Sequence, residues 1–171
     1  NLVSPHRRRN KRYREWVEKP TRPDERWVTD LLRVVVGEGV YYLLCFMDEY
    51  SRYIVHHALL TSMDSRTVSL SALKALETLG DRAVSPVIQS DNGSCYIGRE
   101  FRQVLDERKL MHHRIQPHCP EENGTMERAY RTIREKLEET PLLNPDQARI
   151  ELAKVVQWYN DERLHSALNY L

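Results

Sequence analysis

A change of hydrophobic period at Asp64 limits this fold more than any other feature of the chain. Before it, three runs rich in β-branched and apolar residues follow one another: Trp27–Val36, Val40–Asp48 and Tyr53–Leu60. Gly37-Glu38-Gly39 separates the first two as a short turn, and Glu49–Arg52 separates the second and third. Runs of this length with such breaks predict an antiparallel meander. After Asp64, a helix cap, the residues Val68, Ala72, Ala75, Leu76 and Leu79 recur at helical spacing, and Gly80 marks a stop. Val84–Gln89 then reads as a buried strand ending at Ser90-Asp91-Asn92-Gly93, and Ile97–Arg108 as a helix carried by Phe101, Val104 and Leu105. Met111–Ile115 is a fifth strand, followed by a Pro-bounded loop over Gln116–Pro120. A long helix begins at Glu121 or later and runs to Glu138, and Asn144-Pro145 opens another to about Asn160. The expected fold class is α/β, a five-stranded mixed sheet flanked by helices.

Charge divides the 171 residues unevenly. Residues 1–14 hold six of the 26 Lys and Arg side chains (Arg7, Arg8, Arg9, Lys11, Arg12 and Arg14) and no acid, leaving 20 basic against 25 acidic residues elsewhere. Residues 1–25 therefore read as a basic arm or linker, and 26–171 as the folded body. Such an arm suits a polyanion such as DNA; the competing reading is a solvated linker. The longest apolar run, Val40–Met47, is far below the roughly 18 residues of a membrane helix. The basic N-terminus has no apolar stretch behind it, so no signal peptide is expected, and the start at Asn1 reads as that of a fragment or processed product. Cys45, Cys95 and Cys119 are odd in number with no paired spacing, which points to a reducing compartment, with Cys45 a core residue.

Two motifs and a lone acid carry the chemistry. Ser90-Asp91-Asn92-Gly93-Ser94 follows directly on an apolar run. Pro117-x-x-Pro120-x-x-Asn123-Gly124-x-x-Glu127-Arg128 leads into a charged helix, with 35 residues between Asp91 and Glu127. Upstream, Trp27-Val28-Thr29-Asp30 sets a carboxylate inside an otherwise apolar strand. In this order the motifs resemble the D,D-35-E core of the retroviral-integrase superfamily, most of all bacterial insertion-sequence transposases. Met47-Asp48-Glu49-Tyr50-Ser51-Arg52, Glu127-Arg128-Ala129-Tyr130-Arg131-Thr132-Ile133 and Tyr159–Leu168 resemble further segments of that family, so the likeness spans about residues 27–171.

The resemblance implies a ribonuclease H-like fold, with 26–171 as catalytic core and Asp30, Asp91 and Glu127 as catalytic and metal-binding residues. It implies two Mg²⁺ ions, Mn²⁺ substituting, and DNA as substrate. It also implies a homo-oligomer on DNA, flanking DNA-binding domains in the full protein and a bacterial cytoplasmic location. Physics agrees with the metal: two like charges about 4 Å apart cost roughly 4 kcal/mol at an effective dielectric of 20, so clustered acids need cations or protons. Hard oxygen ligands suit Mg²⁺.

Taken singly, each acid has an ordinary reading. Asp91 before Asn-Gly is a turn residue, Asp30 a solvent-facing strand residue, and Glu127 a surface partner of Arg131. Asp48 at a strand end reads as structural. Arg128 follows Glu127, and Arg131 and Arg134 share its helical face; by resemblance Arg131 and Arg134 contact DNA phosphates, and Arg128 with the arm residues Arg7, Arg8, Arg9, Lys11 and Arg12 joins them as a DNA-binding candidate. His112, His113, His118 and Cys119 invite a zinc reading, but adjacent strand histidines point to opposite faces and no second Cys stands at ligand spacing. Two other functions compete with transposition: a degenerate DNA-binding or assembly module, and a ribonuclease H-type nuclease. The intact acids and the 35-residue spacing favour transposition.

Overall fold

A computed structural model of the chain describes residues 19–115 and 122–162. Residues 1–18 of the basic arm, the Gln116–Pro120 loop with Glu121, and the end of the Tyr159–Leu168 motif lie outside the described residues. The elements run β1 (Arg26–Val36), β2 (Gly39–Asp48), β3 (Ile54–Leu60), α1 (Ser65–Glu77), β4 (Val87–Ser90), α2 (Ser94–Ile97), α3 (Arg99–Glu107), β5 (His112–Arg114), α4 (Gly124–Leu137) and α5 (Pro145–Asp161). The expected five-stranded mixed sheet is present, in the order β3-β2-β1-β4-β5. β1–β2 and β2–β3 pair antiparallel, β1–β4 and β4–β5 parallel.

Both faces of the sheet are covered, which explains why β2 reads as unbroken apolar sequence. On one face Trp27, Leu44, Phe46 and Ile88 pack against α1, α2 and α3 through Val68, Tyr96 and Phe101. On the other, Val28, Leu32, Leu43, Cys45 and Met47 pack against α4 and α5 through Met126, Ile133, Leu152 and Tyr159. The period-two alternation of strands splits neighbours between these cores. Residues two apart on β1 share a face, so Asp30 lies with Val28 and Leu32 on the side that α4 covers.

Caps stand where the sequence puts them. The Asp64 carboxylate accepts from Thr67 N at 2.9 Å, and the Asn144 side-chain oxygen from Gln147 N at 3.0 Å. Three boundaries differ from expectation. β4 starts at Val87, not Val84, because Pro86 has no N–H for a ladder. The helix expected over Ile97–Arg108 runs Arg99–Glu107, and a short turn of helix not expected, Ser94–Ile97, precedes it across Gly98, where a β-carbon would stand 2.1 Å from Ser65 Oγ. β5 covers only His112–Arg114. Gly37 holds a left-handed φ of 56°, and its N–H donates to Leu142 O at 2.7 Å, fastening the β1–β2 turn to the connection before α5. Among the described residues no helix is long and apolar enough to cross a membrane.

Candidate active site

The parallel pairing of β1 with β4 brings the first two acids together. Its register matches Val28 with Gln89; carried forward two residues, it sets Asp30 opposite Asp91, and strands this close lie about 4.8 Å apart. Glu127 lies in the first turn of α4. Burial is the main cause raising the Asp30 carboxyl above the usual carboxylate range; hydrogen bonds from Leu31 and Asn123 oppose it, and the charges of Asp91 and Glu127 raise it further. All three acids therefore act on one locality.

Asp30 and Asp91 are held separately. Asp30 is half-buried, its Oδ1 accepting from Leu31 N at 2.8 Å and its Oδ2 from Asn123 Nδ2 at 3.2 Å. The Asp91 Oδ1 accepts from Gly93 N at 2.8 Å, so the turn-residue reading of Asp91 describes its local bonding. Asp30 is not the solvent-facing strand residue of the ordinary reading. Glu127 is exposed, and among the described residues it forms no ion pair with Arg131. Among the described residues no three His, Cys, Asp or Glu side chains stand close enough to hold a metal ion as they are placed. Uncompensated carboxylates repel, and local N–H donors take up part of their charge instead.

Buried polar groups fix the height of α4 on the sheet. The Tyr130 hydroxyl donates to Asp30 O, with Leu43 O at 3.2 Å as the alternative acceptor, and takes Cys45 N as donor at 3.2 Å. Tyr130 thus ties the helix bearing Glu127 to the backbone of Asp30. Gln89, 1% exposed, donates from Nε2 to Glu122 O at 2.8 Å, and His113 lies 3.3 Å from the Glu122 carboxylate, so β4 and β5 grip the residues just before α4. Tyr130→Phe is expected to lower unfolding free energy by about 1–3 kcal/mol in urea titration, because it leaves buried backbone groups without their partner.

Asp48 is 2% exposed, and its carboxylate accepts from Asp24 N, Ser51 N and Ser51 Oγ, a structural set of bonds. His112 bonds Ser90 Oγ at 2.8 Å while His113 turns to Glu122, so the two histidines do face opposite ways. His118 and Cys119 lie outside the described residues, as do Arg7, Arg8, Arg9, Lys11 and Arg12. Arg128, Arg131 and Arg134 are all exposed on α4. Burial pushes the Cys45 thiol up to about 12 and the Cys95 thiol up to about 11, and holds the Tyr96 and Tyr130 hydroxyls well above their usual range.

Sequence reading gave no separate role to Asn123, Tyr130 or Gln89. Tyr130 was findable: three residues beyond Glu127, it shares the helix face that must meet the sheet. The Gln89 contact, which depends on the tertiary course of a loop, had no comparable signal.

A half-buried acid on a central strand, a second just past the end of the neighbouring parallel strand and a third on the helix across that face fit a ribonuclease H-like core of the integrase and transposase kind. Sequence comparison agrees. The profile of the integrase core domain family matches residues 20–120, a second integrase core domain profile matches 108–171, and the chain belongs to that family. It is 28% identical over 156 residues to the transposase for insertion sequence element IS904 of Lactococcus lactis, covering 89% of this chain and 60% of that protein. It is 32% identical over 153 residues to a putative transposase, InsD, for insertion element IS2E of Escherichia coli K12, covering 86% of this chain and 70% of that one. Against the first three curated relatives the chain spans 60, 55 and 50% of their length. The HTLV-2 integrase catalytic core domain in complex with magnesium shares the fold, with a TM-score of 0.68 at 18% identity over 88% of this chain and 97% of that one.

Proposed function

We propose that residues 26–171 are the catalytic core of a DNA transposase, with Asp30, Asp91 and Glu127 as its catalytic carboxylates and residues 1–25 as a DNA-binding arm. The observation that carries this is the Asp30 carboxyl: half-buried, beside Asp91 by strand register, and subject to the charges of both Asp91 and Glu127.

The donor set fits Mg²⁺. Three carboxylates supply hard oxygens, and a cation would relieve the desolvated charge that burial imposes on Asp30. Asp30, Asp91 and Glu127 would hold two such ions, or Mn²⁺ in their place, which when bound would activate an attacking oxygen and stabilise a leaving one. Asn123, bonded to Asp30 Oδ2, must yield that oxygen, so its amide is a movable partner at the site. Tyr130 and Gln89 keep Glu127 facing the strands while this happens.

In the first reaction a water oxygen bonds to phosphorus at the element's end, the bond from phosphorus to the 3′ oxygen breaks, and a 3′-hydroxyl is released. In the second, that 3′-hydroxyl attacks a target phosphodiester: a new P–O bond forms, the attacking hydroxyl gives up its proton, and the target strand's own 3′ oxygen leaves and takes up a proton from solvent as a new 3′-hydroxyl. Arg128, Arg131 and Arg134 line the exposed side of α4 and contact the DNA backbone, with Arg7, Arg8, Arg9, Lys11 and Arg12 reaching further along it. A second copy pairs the other element end, and the enzyme works on DNA in the bacterial cytoplasm.

The test is strand joining of a terminal-repeat oligonucleotide into a target duplex with Mg²⁺ or Mn²⁺. Joined product expected with wild type and absent with Glu127→Gln supports the reading. Cleavage of RNA–DNA hybrids without joining would replace it with a hydrolase, and DNA binding without any cleavage would replace it with an assembly module.

A further inference from the structure

Arg52 ends the β2–β3 turn with a φ of 65°, a left-handed conformation that the β-carbon disfavours and that surrounding bonds must enforce. Those bonds are present. Ser51 N and Oγ donate to Asp48 Oδ2 at 2.8 and 2.5 Å, and Arg52 N donates to Asp48 O at 2.9 Å. The turn so held sends the Arg52 guanidinium to α4, where Nη1 donates to Thr125 Oγ1 at 2.6 Å, two residues before Glu127. From the other side Arg128 folds back along the same helix turn, its Nη1 lying 3.9 Å from where a β-carbon on Gly124 would stand. Two guanidinium groups thus flank the first turn of α4 beside Glu127.

Among the described residues neither Arg52 nor Arg128 forms an ion pair. The two acids of the β2–β3 turn are engaged: Glu49 lies 3.0 Å from Arg26 Nη1, and the Asp48 carboxylate accepts from Asp24 and Ser51. Burial depresses the Arg52 pKa; Glu49 opposes this, and the charge of Arg128 adds to it. Two half-compensated cations beside a site for phosphodiester chemistry are relieved best by an anionic tetrahedral phosphate with several acceptor oxygens.

We propose that Arg52 and Arg128 clamp a single phosphate of the DNA strand entering beside Glu127, a role that rests on the transposase reading above. One nitrogen of Arg52 stays on Thr125, which fixes the height of its fork, and the remaining N–H groups meet the phosphate from the β2–β3 turn. Arg128 meets it from the helix.

Anisotropy of a fluorescein-labelled duplex, titrated with the chain at several salt concentrations, tests this. Arg128→Gln and Arg52→Asn are each expected to weaken binding about tenfold, the effect of losing a charged hydrogen-bonding partner. Asn tolerates the left-handed backbone, so Arg52→Asn keeps its melting temperature. The double variant should lower the slope of log affinity against log salt by about 0.9, one phosphate, and not by about twice that. Arg52→Lys, which keeps the charge without the fork, should retain the slope and lose affinity; if Arg52→Asn melts early, Arg52→Lys and Arg128→Gln decide alone. A wild-type chain that binds duplex while the variants match its affinity and slope overturns the clamp and leaves the transposase reading standing. A slope loss near 1.8 overturns the shared phosphate. A folded wild-type chain that binds no duplex at all overturns both.

Discussion

Asp91→Asn is expected to abolish strand joining, by about 10³-fold or more, while the chain folds as before. A thousandfold loss corresponds to about 4 kcal/mol of transition-state stabilisation, within what a cation-held phosphoryl oxygen supplies. The substitution keeps the side chain's shape and its one local bond, since an Asn carbonyl oxygen accepts from Gly93 N as the Asp91 Oδ1 does at 2.8 Å. The turn survives and the charge does not. Circular dichroism and duplex binding should match wild type, so the missing product reports on the site alone. Undiminished joining by this variant would remove Asp91 from the chemistry.

Asp30→Asn is expected to separate stability from cation response. Burial, followed by the charges of Asp91 and Glu127, lifts the Asp30 carboxyl above its ordinary value of 3.8. The folded state therefore holds that proton more tightly than the unfolded chain. The stability it contributes is fully present below the ordinary value and is lost as pH rises through the elevated folded one. In cation-free buffer at neutral pH the Asn variant should therefore melt above wild type. Adding Mn²⁺ should reverse the order. A cation bound only by the folded protein adds about 2.7 kcal/mol at a hundredfold excess over its Kd, and each kcal/mol is worth roughly 2–4 °C in a chain of this size. The variant, lacking a ligand, should gain little. Equal manganese shifts in both proteins would show that Asp30 does not hold the ion.

The sequence made the path of the chain largely legible because its period changes are sharp. The meander, the Asp64 and Asn144 caps and the strand before Asp91 follow from local patterning that tertiary contacts did not override. What stayed illegible required three dimensions. Nothing near Gly98 announces that Ser65 will approach within 2.1 Å of its missing β-carbon, or that a further helical turn, Ser94–Ile97, stands before it. Pro86 did mark a late strand start, but the apolar Val84 beside it masked the signal. At the site, the three acids were found through the spacing and order of their motifs, since each alone passes for a turn, strand or helix-surface residue. Their supports were missed. Asn123, Tyr130 and Gln89 act across 93, 100 and 33 residues of sequence, to Asp30 and Glu122. Arg52 looked like the end of a turn motif, and only its left-handed backbone and its bond to Thr125 give it a direction.

Anomalous scattering from crystals soaked in Mn²⁺ tests the central claim most directly. The account predicts two manganese peaks between β1, the end of β4 and the start of α4, with oxygens of Asp30, Asp91 and Glu127 as ligands about 2.0–2.2 Å away and Asn123 swung off Asp30 Oδ2. Crystals that take up manganese elsewhere, with Asp30 and Asp91 still in their separate hydrogen bonds and Glu127 without a cation, would contradict it.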